Sequence, residues 1–243
     1  NYFNGITLDA TQFQELCHSF TARFLAQAAR TANENDLTDW QAVFNHAEQG
    51  LTYDFAPEAD GQLWTSYHAY TFAETQEPPF WARLDQRLVA ALDDGQPTRY
   101  PVNSFREKIA ESPDARLETD FEYFETVNFD TTYGWCHFSH YKHQRNTTQL
   151  DFAGDGQMGK MPTFLAADNA LLQAEALLML NRKAEAIDLV NSGTRVTRGN
   201  LPPLATTATM EEVREAIFYE RMIELFNAAP FGIWLDRRRV GER

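Results

Sequence analysis

Between positions 13 and 28 the apolar residues are Phe13, Leu16, Cys17, Phe20, Phe24 and Ala28, a spacing that an α-helix gathers onto one face. After the polar stretch Asn33-Glu34-Asn35-Asp36, read as a break, a second run carries Trp40, Val43, Phe44 and Ala47, with Gly50 placed to close it as a left-handed C-cap. The pattern returns near the other end. Phe164 to Leu180, a break at Asn181-Arg182, then Ala184, Ile187, Val190 and Asn191 read as a second antiparallel pair. Each pair has the size of a tetratricopeptide unit, which cannot bury its apolar face alone and must stack on neighbours.

The expected fold is therefore all-α: tetratricopeptide-like helical hairpins in a superhelical frame, carrying long aromatic-rich loops. A single domain over residues 1–243 divides into a helical pair at about 11–50, a loop-rich middle at about 51–162 and C-terminal helices at about 163–243. The middle holds most of the prolines and only short helical stretches such as Trp81 to Leu92. Loops of that length usually carry function. The last helix announces its start, because Thr209 and Glu212 form a capping box in which each side chain satisfies an orphan backbone N–H. Along it Glu220 and Glu224 stand where the pattern calls for apolar groups. Left unpaired there they would be costly, and Arg195 and Arg198 are the partners expected to form structural ion pairs with them.

Composition narrows the function. With 43% apolar residues the chain can bury a core. Its 35 acidic against 21 basic side chains, a net charge of -14, argue against nucleic acid, whose binding rests on Lys and Arg at phosphates. No apolar run reaches bilayer length. The start Asn1-Tyr2-Phe3-Asn4 has no export-signal pattern, so any such signal is expected outside these residues. Cys17 and Cys136 are read either as one disulfide or as two buried thiols. Cys17 is not expected to be a lipid anchor, because Gln14-Glu15-Leu16 before it suits no lipoprotein cleavage site.

Several short segments, in order, carry a resemblance. Ala174-Glu175-Ala176-Leu177-Leu178, Ala184-Glu185-Ala186-Ile187, then Asn191, Arg195, Arg198, Gly199 and Pro202 resemble the C-terminal helical region of the SusD/RagB proteins. Glu220-Arg221-Met222-Ile223-Glu224-Leu225 with Asp236-Arg237-Arg238 is similar to that family's second signature. Phe20-Thr21-Ala22-Arg23 with Trp40 and Ala47-Glu48 resembles its internal helical pair, and Asp114-Ala115-Arg116-Leu117 its recurrent turn. Asn227-Ala228-Ala229-Pro230-Phe231-Gly232 departs from the family, which places Glu-Gly and Arg there. The chain is short for the family and is read as a truncated member. The resemblance implies a non-catalytic outer-membrane lipoprotein at the cell surface. It would touch the membrane only through a lipid anchor outside these residues, and pass oligosaccharide, or in some members peptide, to a SusC-like TonB-dependent transporter.

Glycan binding needs flat rings for the C–H faces of sugars and planar polar groups for their hydroxyls. The densest supply is residues 128–146, with Tyr133, Trp135, His137, Phe138, His140, Tyr141 and Arg145, and a second cluster has Trp64, Tyr67, Tyr70 and Trp81. Of these, Trp64, Tyr67, Tyr70, Trp81, Tyr133, Trp135, His137, Tyr141 and Arg145 are the candidate ligand-binding residues. The competing reading is that such rings pin loops to the helical frame.

His137, His140 and His143 stand three apart, a spacing that gathers them neatly on neither a helix nor a strand, so no metal is expected. Asp151, Gly154 and Asp155 could turn around calcium but lack the ligand spacing of a calcium loop, and no cofactor is expected. Catalytic motifs with an activated Ser or Cys, a zinc-binding HExxH or a phosphate-cradling glycine loop are absent. Two other functions compete: a tetratricopeptide scaffold for a peptide or protein, and an α-toroid glycoside hydrolase with paired carboxylates, for which Glu220 and Glu224 would be the candidates.

Overall fold

Asp9 accepts the backbone N–H of Gln12 while the Gln12 side chain accepts the N–H of Asp9, and this reciprocal cap starts the first helix. A computed structural model describes residues 3–60, 83–99, 109–126, 137–145, 158–160, 162–226, 228–229 and 232–241. In chain order the helices are α1 Ala10–Gln27, α2 Ala32–Asp36, α3 Trp40–Glu48, α4 Gln86–Leu92, α5 Arg116–Asp120, α6 Ala166–Met179, α7 Lys183–Ser192, α8 Thr194–Thr197, α9 Met210–Glu224 and α10 Gly232–Val240. The strands are β1 Glu58–Asp60, β2 Arg83–Asp85, β3 Phe121–Tyr123, β4 Phe138–His143 and β5 Met158–Lys160. The described protein is mostly helical, and it falls into two compact units.

The helical unit comprises Ile6–Ala56, Pro162–Arg198 and Pro202–Arg243. Here α1 and α3 form one hairpin and α6 and α7 another; α3 packs on α6, and α6 also packs on α1 and α9. Helix α6 is buried on nearly every side, through Leu171, Leu172, Ala174, Ala176, Leu177 and Leu178, as the central member of such a stack must be. Its partners present small side chains, Ala22, Ala26, Ala47 and Ala186, all close to fully buried, so the helix axes approach closely. Asn181, at a φ of 62°, takes the left-handed turn between α6 and α7. The Thr209–Glu212 capping box starts α9 as its sequence requires.

Four local expectations need correcting. The buried face of α1 is Leu16, Ser19, Ala22, Arg23, Ala26 and Gln27, while Phe13 and Phe24 are 48% and 65% exposed. Ser19, Arg23 and Gln27 turn inward there to meet the Leu51 N–H, Asp168 on α6 and Asp236 on α10. Cys17, one residue past Leu16, is carried off that face and is a free, exposed thiol; Cys136 lies outside the described residues. The polar stretch taken as a break is the helical turn α2, started by the Thr31 hydroxyl, which accepts the N–H of Glu34. Gly50 does not have a positive φ; its Cβ position is filled by the Asn169 side chain and the Ser19 hydroxyl. Those two groups bond to the backbone beside it, Asn169 donating to the Ala47 carbonyl at 2.7 Å and Ser19 accepting from the Leu51 N–H at 2.7 Å.

The second unit comprises Asn1–Gly5, Pro57–Met161 and Gly199–Leu201. Its described part is not loops alone. Strands β2, β4 and β3 pair antiparallel in that order, and β1 pairs with β5. Within the stretch read as helical from Trp81 to Leu92, Arg83–Asp85 form β2 instead, and helix begins at Gln86 after the Asp85 cap. The Asp-Ala-Arg-Leu turn is locked from inside. Asp114 Oδ1 accepts the backbone N–H of Arg116 at 2.9 Å and its Nε at 3.0 Å, Oδ2 accepts Nη2 at 2.7 Å, and both side chains are fully buried.

Candidate functional site

Strand β4 carries the described part of the densest aromatic cluster. It lies between β2 and β3, with Asp85 opposite Phe138 and Tyr123 opposite Tyr141. Side chains alternate along it, and the two ends have different fates. Tyr141 is 4% exposed: its hydroxyl accepts the Ala110 N–H at 2.8 Å, and Tyr123 stands edge-on to its ring at 5.3 Å. The ligand-binding assignment of Tyr141 is thereby corrected, since a ring so nearly buried offers no platform. His140 stacks on Tyr123 with Nδ1 at 2.9 Å from the Phe124 carbonyl, and His143 is edge-on to Phe121. These histidines are structural members of the sheet. Arg145 is half-buried just beyond the strand.

At the start of β4 the surface opens. His137 is exposed and the Phe138 ring is 39% exposed. Arg83 donates to the Ser139 carbonyl at 2.9 Å and holds its guanidinium 5.9 Å from the centre of the Phe138 ring. Asp85, across from Phe138, binds Arg87 in a fork, Oδ1 accepting Nε at 3.0 Å and Oδ2 accepting Nη2 at 2.7 Å. Partial burial would raise the Asp85 pKa, but the Arg87 bonds and, more weakly, the charge of His137 hold it below its ordinary value. The result is an exposed ring with the Arg83 guanidinium near it and, across the strand pair, the Asp85 carboxylate held by Arg87. Such a set can carry a sugar's C–H face on the ring and reach its hydroxyls with planar polar groups. Asp85 and Arg87 were not singled out from the sequence; the Asp-x-Arg spacing was visible, but nothing local tied it to Phe138, more than 50 residues away.

Trp64, Tyr67, Tyr70, Trp81, Tyr133 and Trp135 lie outside the described residues, as do Asp151, Gly154 and Asp155.

The helical unit contains a cleft of about 400 Å³, lined by Leu51 and Thr52 after α3, by Ala166 and Ala170 on α6, and by Thr194 and Glu220. Glu220 is buried and accepts the Thr194 hydroxyl at 3.0 Å. Glu224 accepts Arg198 Nη1 at 2.6 Å. Arg195, expected beside these carboxylates, instead donates Nε to the Pro202 carbonyl at 3.0 Å, because the chain after α8 turns back within its reach. The cleft's lining is small and aliphatic with two carboxylates, Glu48 and Glu220, and no aromatic platform.

The signature residues at the C-terminal end form a buried brace. Arg239 grips Glu175 with both nitrogens at 2.6 Å, Arg221 Nε donates to Asp236 at 2.7 Å, and Arg23 Nε donates to Asp168 at 2.7 Å. Three guanidiniums thus face three carboxylates across α1, α6, α9 and α10. Burial would lower the Arg221 pKa, but Asp236, Asp168 and Glu175 together raise it; burial would raise that of Asp236, but Arg221 and Arg239 hold it down. This brace fixes the frame and has no open face for a ligand.

The stacked helical hairpins of the first unit are of the tetratricopeptide-like class. The SusD family model matches residues 20–229, and the chain belongs to that family. Among solved structures it is similar to a SusD homolog from Bacteroides thetaiotaomicron VPI-5482, at 18% identity and a TM-score of 0.48, over 98% of this chain and 52% of that one. It is also similar to a SusD superfamily protein from Bacteroides vulgatus ATCC 8482, at 16% identity, a TM-score of 0.46, and 92% and 51% coverage. B. fragilis NanU follows at 14% identity, a TM-score of 0.45, and 92% and 55% coverage. The chain thus spans about half the length of these structures. No curated protein matches it.

Proposed function

We propose that this chain belongs to a non-catalytic nutrient-capture protein that binds oligosaccharide at an outer-membrane surface and delivers it to a SusC-like TonB-dependent transporter. Membership of the SusD family over residues 20–229 carries this reading. The exposed Phe138 with Arg83 and the Asp85–Arg87 pair supports a sugar as ligand, and a net charge of -14 suits an uncharged glycan better than an anionic polymer. Anchoring belongs to a lipid outside these residues; among the described ones no helix is long and apolar enough to cross a membrane.

Affinity gels and calorimetry against a panel of neutral and acidic oligosaccharides test the proposal, with turnover followed in parallel. Saturable binding without hydrolysis is expected, weakened by Phe138→Ala and by Trp135→Ala or Trp64→Ala without loss of fold. A second reading, capture of a peptide, draws on the cleft lined by Glu48 and small and aliphatic side chains with no basic one, which favours a cationic segment. Binding of a Lys- or Arg-rich peptide library with no retention by any glycan would replace the first reading with this one.

A further inference from the structure

On the face where α1 meets α3, His18 and His46 point their imidazoles at each other. Their Nδ1 atoms are 2.8 Å apart, and their ring centres 5.0 Å apart at a tilt of 40°. Two ring nitrogens approach that closely when one donates a hydrogen to the other's lone pair, and the tautomer decides which. Both side chains are half-buried, so solvent reaches them while the helices hold their backbones in place. Neither a glycan platform nor the helical repeat requires this arrangement.

We propose that His18 and His46 form a two-histidine site for a late first-row transition-metal dication, which would take the place of the hydrogen bond between their Nδ1 atoms and bridge α1 to α3. Imidazole nitrogens bind such ions at about 2.0–2.1 Å, which places two tetrahedral ligands roughly 3.3 Å apart. The present separation therefore needs to open by only about 0.5 Å, a small adjustment of two side-chain torsions. Among the described residues no third His, Cys, Asp or Glu completes a closed set, so water or an external donor takes the remaining positions. An open site with two neutral nitrogen donors selects by intrinsic affinity, with Cu²⁺ ahead of Ni²⁺ and Zn²⁺. The chain's net charge of -14 draws cations to its surface. Because the ligands come from the two arms of one hairpin, binding clamps that hairpin. The proposal does not depend on what the protein captures.

The test uses the whole chain, stripped with chelator and titrated with CuCl₂, NiCl₂ and ZnCl₂ at about pH 7.5, where imidazole is mostly neutral. One equivalent is expected to bind and to raise Tm. The affinity should fall roughly 10-fold or more in His18→Gln and in His46→Gln, with fold checked by circular dichroism. Paramagnetic broadening by Cu²⁺ in the unaltered protein gives an independent reading, and the His18 and His46 ring signals should vanish before those of the other four histidines. Equal affinity in a folded double variant, first broadening at His137, His140 or His143, or no binding at sub-millimolar metal would each overturn the proposal.

Discussion

Arg239 and Glu175 meet through both guanidinium terminal nitrogens at 2.6 Å, the arginine fully buried and the carboxylate nearly so, joining α10 to α6. A pair of this kind is held more by the cost of breaking it than by the gain of forming it. Removing one partner strands the other charge in a low-dielectric site.

Glu175→Gln and Arg239→Met are each expected to destabilise the protein by about 3–5 kcal/mol. Urea unfolding followed by circular dichroism measures the change. A loss below about 1 kcal/mol would mean that water reaches the brace.

Acid should find the same brace. The folded-state pKa of Asp236 lies below its ordinary value, because Arg221 and Arg239 outweigh the opposing effect of burial. The stabilisation from this carboxylate is therefore complete above its unfolded value, about 3.9, and is lost as pH falls from there toward the lower folded value. Melting temperatures from pH 7 to 2.5 should drop most steeply below about pH 4. Asp236→Asn should be less stable at neutral pH and show a shallower acid limb.

Gly50→Ala places a methyl group against Asn169 and Ser19, both anchored to neighbouring backbone. Overpacking at such a point costs about 1–3 kcal/mol. Differential scanning fluorimetry should show a lowered Tm.

Tyr141→Phe and Phe138→Ala separate framework from surface on one strand. Removing the Tyr141 hydroxyl leaves the buried Ala110 N–H without this acceptor, at a cost of about 1–3 kcal/mol in stability, with ligand affinity unchanged. Phe138→Ala should leave Tm nearly unaltered and weaken glycan retention roughly 10-fold, or about 1.4 kcal/mol. Chemical denaturation and affinity electrophoresis on the two variants read the contrast directly. Equal effects of both on affinity would remove Phe138 from the site.

What could be read from the sequence was whatever depends on near neighbours. The Thr209–Glu212 box, the turn at Asn181 and the helices on either side of it follow from residues a few positions apart. The inward face of α1 does not. A periodicity argument ranks Phe24 above Arg23, and only the Asp168 carboxylate, 145 residues along the chain, reverses the order. Strands of three residues, such as β2 and β3, are too short to establish an alternating pattern, so the middle read as loop. The candidate site was half visible for the same reason. His137 and Phe138 stood out within one aromatic run, whereas Asp85 and Arg87 join them only through strand pairing.

The brace also dictates an order of events. Arg239 reaches Asn35 at 2.8 Å across 204 positions of sequence, so Asn35 on α2 and Glu175 on α6 gain this buried partner only once α10 has been synthesised. Long-range closures of this kind slow folding. A nascent chain that stops short of α10 would hold Glu175 without Arg239, and a helper that shields the half-built hairpins would be of most use during that interval.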